Sequence, residues 1–224
     1  MKRFLHRAKI LVVLSLSIPV YAAKDIIVDH NVQTITIAAN FVTFAPIQET
    51  LHEAAALWNV ESGKYFYEIQ TPDTILFYAV NFNLVVNDDP FGDLALNIVS
   101  VIPDKSKLCK KRKQSATNAV SVYDKPVGIS DGTHIGINER FKDDKYILAH
   151  EMGHNLGLTH SEGLMHTHVG CQSITIFNIE ESLAQLHNSI IDQKNTLRKK
   201  VEKGNVPDQM YYVGVVANDK ILNS

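Results

Sequence analysis

The segment His150-Glu151-Met152-Gly153-His154-Asn155-Leu156-Gly157-Leu158-Thr159-His160 concentrates groups that can do chemistry. On a helix, residues four apart share one face, so the imidazoles of His150 and His154 can reach a single metal ion. Glu151 follows the first histidine and can project beside that ion without binding it. From there its carboxylate can accept a proton from an attacking water. Gly157 can leave the helix through a left-handed conformation closed to most residues, which returns His160 toward the same point. Three neutral nitrogens leave one tetrahedral position open, as hydrolysis requires. A purely structural metal site would not need Glu151. A metal-free surface cluster of histidines is the bland alternative.

These residues need a helix and a frame to hold it. Asp143-Asp144 begins a helix through Leu156, and strands over Gly128–Asn138 and Thr117–Tyr123 precede it. Pro46 opens an earlier helix, Ile47 to about Glu61, whose Ile47, Leu51, Ala54, Ala55 and Trp58 share a face; Ser62-Gly63 stops it. Ile26–Ile37 reads as one or two strands, and Lys64–Gln70, Thr74–Val86 and Leu94–Ile102 read as further ones. After His160, Asn178 is expected to cap a third helix with Glu180 and Glu181 in its first turn. Arg198, Lys199, Lys200 and Lys203 would close it before Gly204, with Leu183, Leu186, Ile190, Leu197 and Val201 as its apolar stripe. Tyr211–Ala217 reads as one extra strand.

The histidine motif resembles the extended zinc-binding pattern of the metzincins, and within that clan the matrixin-type catalytic domain. Ala56-Leu57-Trp58-Asn59 followed by an aromatic strand resembles the family's backing helix and second strand. Gly132-Thr133-His134-Ile135-Gly136-Ile137-Asn138-Glu139-Arg140-Phe141 resembles the strand and turn before the active-site helix, and Gly163-Leu164-Met165 the methionine turn. The resemblance covers roughly Ile35 to His168. It implies an α+β, metzincin-like fold: a twisted, mixed five-stranded sheet with a backing helix and an active-site helix, in an upper lobe of about residues 26–157. A small C-terminal lobe, about 158–224, would carry the methionine turn and a C-terminal helix. It also implies Zn²⁺ on His150, His154 and His160, Glu151 as general base, and Met165 as an apolar floor beneath the metal. His168 is set against the position, two past the methionine, where astacin-like and serralysin-like relatives place a tyrosine. A contact with the metal or the substrate oxyanion is the sharp reading there; a cleft-edge histidine is the other. Matrixins also carry a second zinc and calcium. His134 sits near where one such ligand could be, without a full set around it. No blocking cysteine motif is evident: Lys107-Leu108-Cys109-Lys110-Lys111 does not resemble one. Substrate would lie extended along a sheet edge, either Leu94–Ile102 or Thr117–Tyr123.

The chain of 224 residues starts with a positive head (Lys2, Arg3, Arg7, Lys9) and an apolar run Ile10–Ile18, then Pro19-Val20-Tyr21-Ala22. This is the pattern of a signal peptide, residues 1–22, cleaved after Ala22. The remaining residues 23–224 are read as one metallopeptidase domain, exported to the periplasm or the medium of what resembles a bacterial cell. The apolar run is too short to span a bilayer, so no stable membrane anchor is expected. Export leaves 18 basic against 24 acidic residues, which excludes the basic profile of a nucleic-acid binder. Asp104–Gln114 is locally basic and reads as a solvated loop or a contact for an anionic partner. Cys109 and Cys171 would form a disulfide by default in an oxidising compartment, with free thiols or a metal-bound thiolate as alternatives. The function read from the chain is a zinc endopeptidase that hydrolyses protein or peptide substrates and is monomeric by default. A zinc hydrolase of a non-peptide amide and a non-catalytic zinc-stabilised binding protein are the rivals.

Overall fold

The computed structural model describes residues 24–87, 94–104, 119–122, 125–167, 172–186 and 197–218. The chain enters as β1 (Lys24–Asp29) and turns back into β2 (Thr34–Thr43). Asp29 Oδ1 closes that turn by accepting from the Asn31 and Val32 amides. Helix α1 (Gln48–Asn59) buries Leu51, Ala54, Ala55 and Trp58, the face expected from the periodicity. A hairpin of β3 (Tyr65–Gln70) and β4 (Ile75–Val86) follows, then β5 (Leu96–Ile102). β6 (Ala119–Val122), β7 (Lys125–Ser130) and β8 (His134–Asn138) lead to helix α2 (Lys145–Asn155). Asp144 caps α2 by accepting from the amides of Tyr146 and Ile147, satisfying two of the donors a helix start leaves over. Helix α3 (Ile176–Leu183), β9 (Leu197–Lys203) and β10 (Tyr211–Ala217) complete the described chain.

All the strands belong to one mixed sheet, ordered β10-β3-β4-β2-β5-β8-β7-β6, with β1 also on β2 and β9 on β1. Its centre is a parallel set: β2 pairs in parallel with β4 and β5, and β5 with β8. β7 runs antiparallel to β8, and β6 antiparallel to β7. Helices α1 and α2 pack on this centre and on each other. The face of this set that meets the helices is buried, with Ile35, Ile37, Phe41, Val80, Val99, Ile135 and Ile137 as core residues, whereas β4 and β5 alternate with exposed positions such as Asn83 and Ser100.

The α+β class and the mixed sheet agree with expectation, but five strands are too few: the sheet among the described residues has ten. Two further expectations change. The third helix does not run to Lys203. It ends as a 3₁₀ turn at Ala184–Leu186, and Leu197–Lys203 is a strand parallel to β1. Leu197 and Val201 stand four apart, a spacing that one face of a strand meets as well as a helix does. Asn178 is also not the cap itself. It sits three residues inside, where its Oδ1 accepts from the Thr175 amide. Leu96–Ile102 lies inside the sheet between β2 and β8, so it cannot be the edge that receives a substrate strand. β6, within the other candidate, ends the order.

Candidate metal centre and active site

From Ile147 to Asn155 every residue of α2 is buried, so its histidines open into the interior rather than onto a surface. Gly157, at φ 98°, ends the run. The Gly157 amide donates to His154 O and the Leu158 amide to Gly153 O, the paired bonds of a Schellman turn. This turn brings His160 back over the helix. The ring centroids of the three histidines then lie 4.7, 5.4 and 4.7 Å apart, and one nitrogen from each falls within 4.8 Å of the others.

The second nitrogen of each helix histidine is already engaged. His150 Nδ1 lies 2.7 Å from Leu164 O, and His154 Nδ1 lies 2.9 Å from Leu158 O. A carbonyl only accepts, so both Nδ1 atoms carry the proton and both Nε2 atoms present a lone pair inward. His150 Nε2 is buried without a hydrogen-bond partner among the described residues, and His154 Nε2 faces His160 Nε2 at 3.2 Å. Converging lone pairs of this kind are what a cation satisfies, so the residues fit a metal ion. Burial, together with His160 nearby, pushes His150 down to about 4 despite the opposing bond from Leu164 O. Burial and then His166 lower His160. Both rings are therefore held in the neutral form that ligates metal.

Glu151 is completely buried, and neither carboxylate oxygen has a hydrogen-bond partner among the described residues. Burial raises its pKa well above the ordinary carboxylate range. Strand β7 passes directly over it: a Cβ at Gly128 would stand 2.3 Å from Glu151 Oε1 and 2.6 Å from Cδ. Only glycine leaves that room. On the other side of α2, Gly153 does the same for Met165, whose Sδ would be 2.4 Å from an added Cβ, with Trp58 Cζ2 at 3.1 Å. Met165 closes the 3₁₀ turn Gly163–Met165 and is fully buried. Trp58 Nε1 donates to Ala149 O at 3.0 Å and so locks α1 to the active-site helix.

Asn155 ends α2 with a buried polar relay that sequence reasoning missed. Its Nδ2 donates to Asn97 Oδ1 at 2.9 Å on β5, and its Oδ1 accepts from Ser130 Oγ on β7. The contacts of Gly128, Asn97 and Ser130 join residues far apart in the chain, and no local pattern announces them.

His150, Glu151, His154, His160 and Met165 are thus brought together. His134 is not: it opens β8 as an exposed residue, with Nδ1 3.0 Å from Thr133 Oγ1. His168, Cys109 and Cys171 lie outside the described residues, as do residues 105–114 of the basic stretch. Counting from Met165, the position two residues on is Thr167 and His168 is the third, so the alignment of His168 with the relatives' tyrosine fails by one residue.

A buried helix that carries two histidines, a returning third and an unpartnered carboxylate between them and the sheet makes a metal-ready hydrolytic centre in an α+β frame. The chain belongs to the Peptidase M66 family, whose family model matches residues 22–173, about two thirds of its length. It is a peptidase, and its substrates are proteins or peptides. No curated protein and no solved structure matches it.

Proposed function

We infer that the protein is a zinc-dependent endopeptidase of metzincin type, formed by one domain from residue 23 and exported from the cell. The observation that carries this reading is the inward convergence of the three histidines, each helix ring fixed through Nδ1 by a backbone carbonyl. Three imidazole donors suit zinc, which accepts nitrogen ligands in four-coordinate sites. When bound, the ion supplies Lewis-acid activation of a water and of the scissile carbonyl.

The chain's own residues do the rest. Glu151 takes the proton from the attacking water and later gives it to the departing amine, so no charge accumulates on the leaving group. No described residue hydrogen-bonds to either of its oxygens, which leaves both available for that transfer. Gly128 gives the carboxylate its space, and Met165 fills the floor under the helix, the role of a methionine turn. Of the two sheet edges considered for an extended substrate, β6 is the one that remains. The positive head and apolar run before Ala22 support export, and no helix among the described residues is long and apolar enough to cross a membrane.

The test is cleavage of a mixed peptide library by the chain from Ala23 onward, run beside Glu151→Ala, with zinc measured in both. Zinc in both proteins and internal cleavage by the wild type alone is the expected result. Zinc in both with no cleavage by either would leave a narrow protein substrate, a non-peptide amide or a binding role. Absence of zinc from the wild type would overturn the reading.

A further inference from the structure

His160 is the one ligand not held by α2, and something else must fix it. It is half-buried, on an irregular segment that follows the Gly157 turn. Both flanks of that segment are gripped by a single element. On the leading side, Glu181 of α3 accepts two hydrogen bonds from Thr159, from the amide at 2.9 Å and from Oγ1 at 2.5 Å. On the trailing side, Asn178 of α3 donates through Nδ2 to Ser161 Oγ and to Glu162 O, each at 3.2 Å. Residues 178 and 181 are one turn apart on α3 and face the same way. The helix itself is tied to the end of α2: the buried Lys24 donates through Nζ to Leu156 O at 2.5 Å and to Ser182 O. Leu156 is the C-cap of α2, so Lys24 satisfies a carbonyl that the helix end leaves over.

We propose that Glu181 and Asn178 are positioning residues for the third metal ligand, with Lys24 holding their helix in register against the active-site helix. The two bonds to Thr159 fix the backbone immediately before His160, and the bonds to Ser161 and Glu162 fix the backbone immediately after it. With both neighbours held, the imidazole has only its own side-chain torsions left to set. Groups that orient ligands in this indirect way typically change metal affinity by about 10–100-fold when removed.

This inference rests on the assignment of His160 as a ligand, and the experiment separates the two. Zinc affinity of the chain from Ala23 is measured by chelator competition for the wild type, His160→Ala, Glu181→Ala, Glu181→Gln and Asn178→Asp. The ligand-field spectrum of the Co²⁺-substituted forms is recorded alongside. Glu181→Gln keeps an acceptor for Thr159, and Asn178→Asp keeps an acceptor for the Thr175 amide while removing the donors to Ser161 and Glu162. The expected result is at least about tenfold weaker zinc binding in Glu181→Ala and Asn178→Asp, affinity within about threefold of wild type in Glu181→Gln, and a Co²⁺ spectrum altered only in the first two. Wild-type affinity in Glu181→Ala would overturn the proposal, as would equal losses in the alanine and glutamine variants. If Glu181→Ala does not fold, Thr159→Val removes one of the two bonds without touching α3. An unchanged affinity and Co²⁺ spectrum there would overturn it equally. Unchanged binding in His160→Ala would instead sink the ligand assignment beneath it.

Discussion

A methyl group at position 128 would overlap the Glu151 carboxylate, so Gly128→Ala must push either β7 or the carboxylate aside. The three atoms nearest to that methyl all belong to Glu151, none to a histidine. The variant should therefore keep its full zinc content while kcat falls about 100-fold, the scale of loss expected from a misplacement near 1 Å. Paired zinc analysis and peptide kinetics check this; reduced zinc content would show that the strand has moved the helix as well. At this scale the sequence was informative wherever a contact is local. His150, Glu151 and His154 are set by helix period, and His160 by the glycine that ends the helix. Gly128, Lys24, Asn178 and Glu181 act across long stretches of chain, and alone each reads as an ordinary turn, surface charge or cap.

Helix α1 supports the active-site helix through one large side chain. Trp58 is fully buried, donates to Ala149 O and packs against Phe82 at a centroid distance of 5.6 Å. Trp58→Ala should cost about 3–5 kcal/mol of stability through the cavity it leaves between the two helices, read from denaturant unfolding. Strand β9 makes a different demand. Asp25 is buried at the start of β1 and takes a two-pronged bond from Arg198, Nε to Oδ1 at 2.8 Å and Nη2 to Oδ2 at 2.6 Å. Arg198→Ala would leave a buried carboxylate with, among the described residues, the Ala95 amide as its remaining hydrogen-bond partner, and a loss of about 3 kcal/mol is expected. The same residues explain why the element was misread. Four basic side chains near the end of a periodic run signal a helix C-terminus, whereas here Arg198 answers a buried aspartate 173 residues earlier. Helix α1 was legible because Leu51, Ala54, Ala55 and Trp58 mix spacings of three and four that no strand face shares, and α2 because only on a helix do side chains four apart come close enough to meet one ion.

For the molecule as a whole, Lys24 couples β1, α2 and α3, and it makes stability depend on pH. Burial depresses its pKa from 10.5 to about 7, with Glu181 opposing the shift. Between those values the unfolded chain binds more protons than the folded one, so the contribution of Lys24 is greatest above the unfolded value and is lost as pH falls toward 7. The unfolding midpoint of the wild type relative to Lys24→Met should accordingly rise from pH 7 to pH 10. A constant difference across that range would show that the ammonium is not desolvated.

The parallel ladder of β1 and β9 joins Lys24 to Leu197 and Asp29 to Lys203, closing nearly the full length of the described chain. Pairings of such long range form late, because the loop they close is costly in entropy. While residues 197–203 are still being synthesised, Asp25 has no arginine and the outer edge of β1 lacks its β9 neighbour. The frame under Lys24, and with it the helix that steadies His160, is therefore completed only after almost the entire polypeptide has been delivered. A nascent chain that already carries the whole histidine motif would thus stay inert until its β9 strand has paired with β1. A chain ending at residue 196 should consequently fail to retain zinc in dialysis, although every residue of the histidine motif is present.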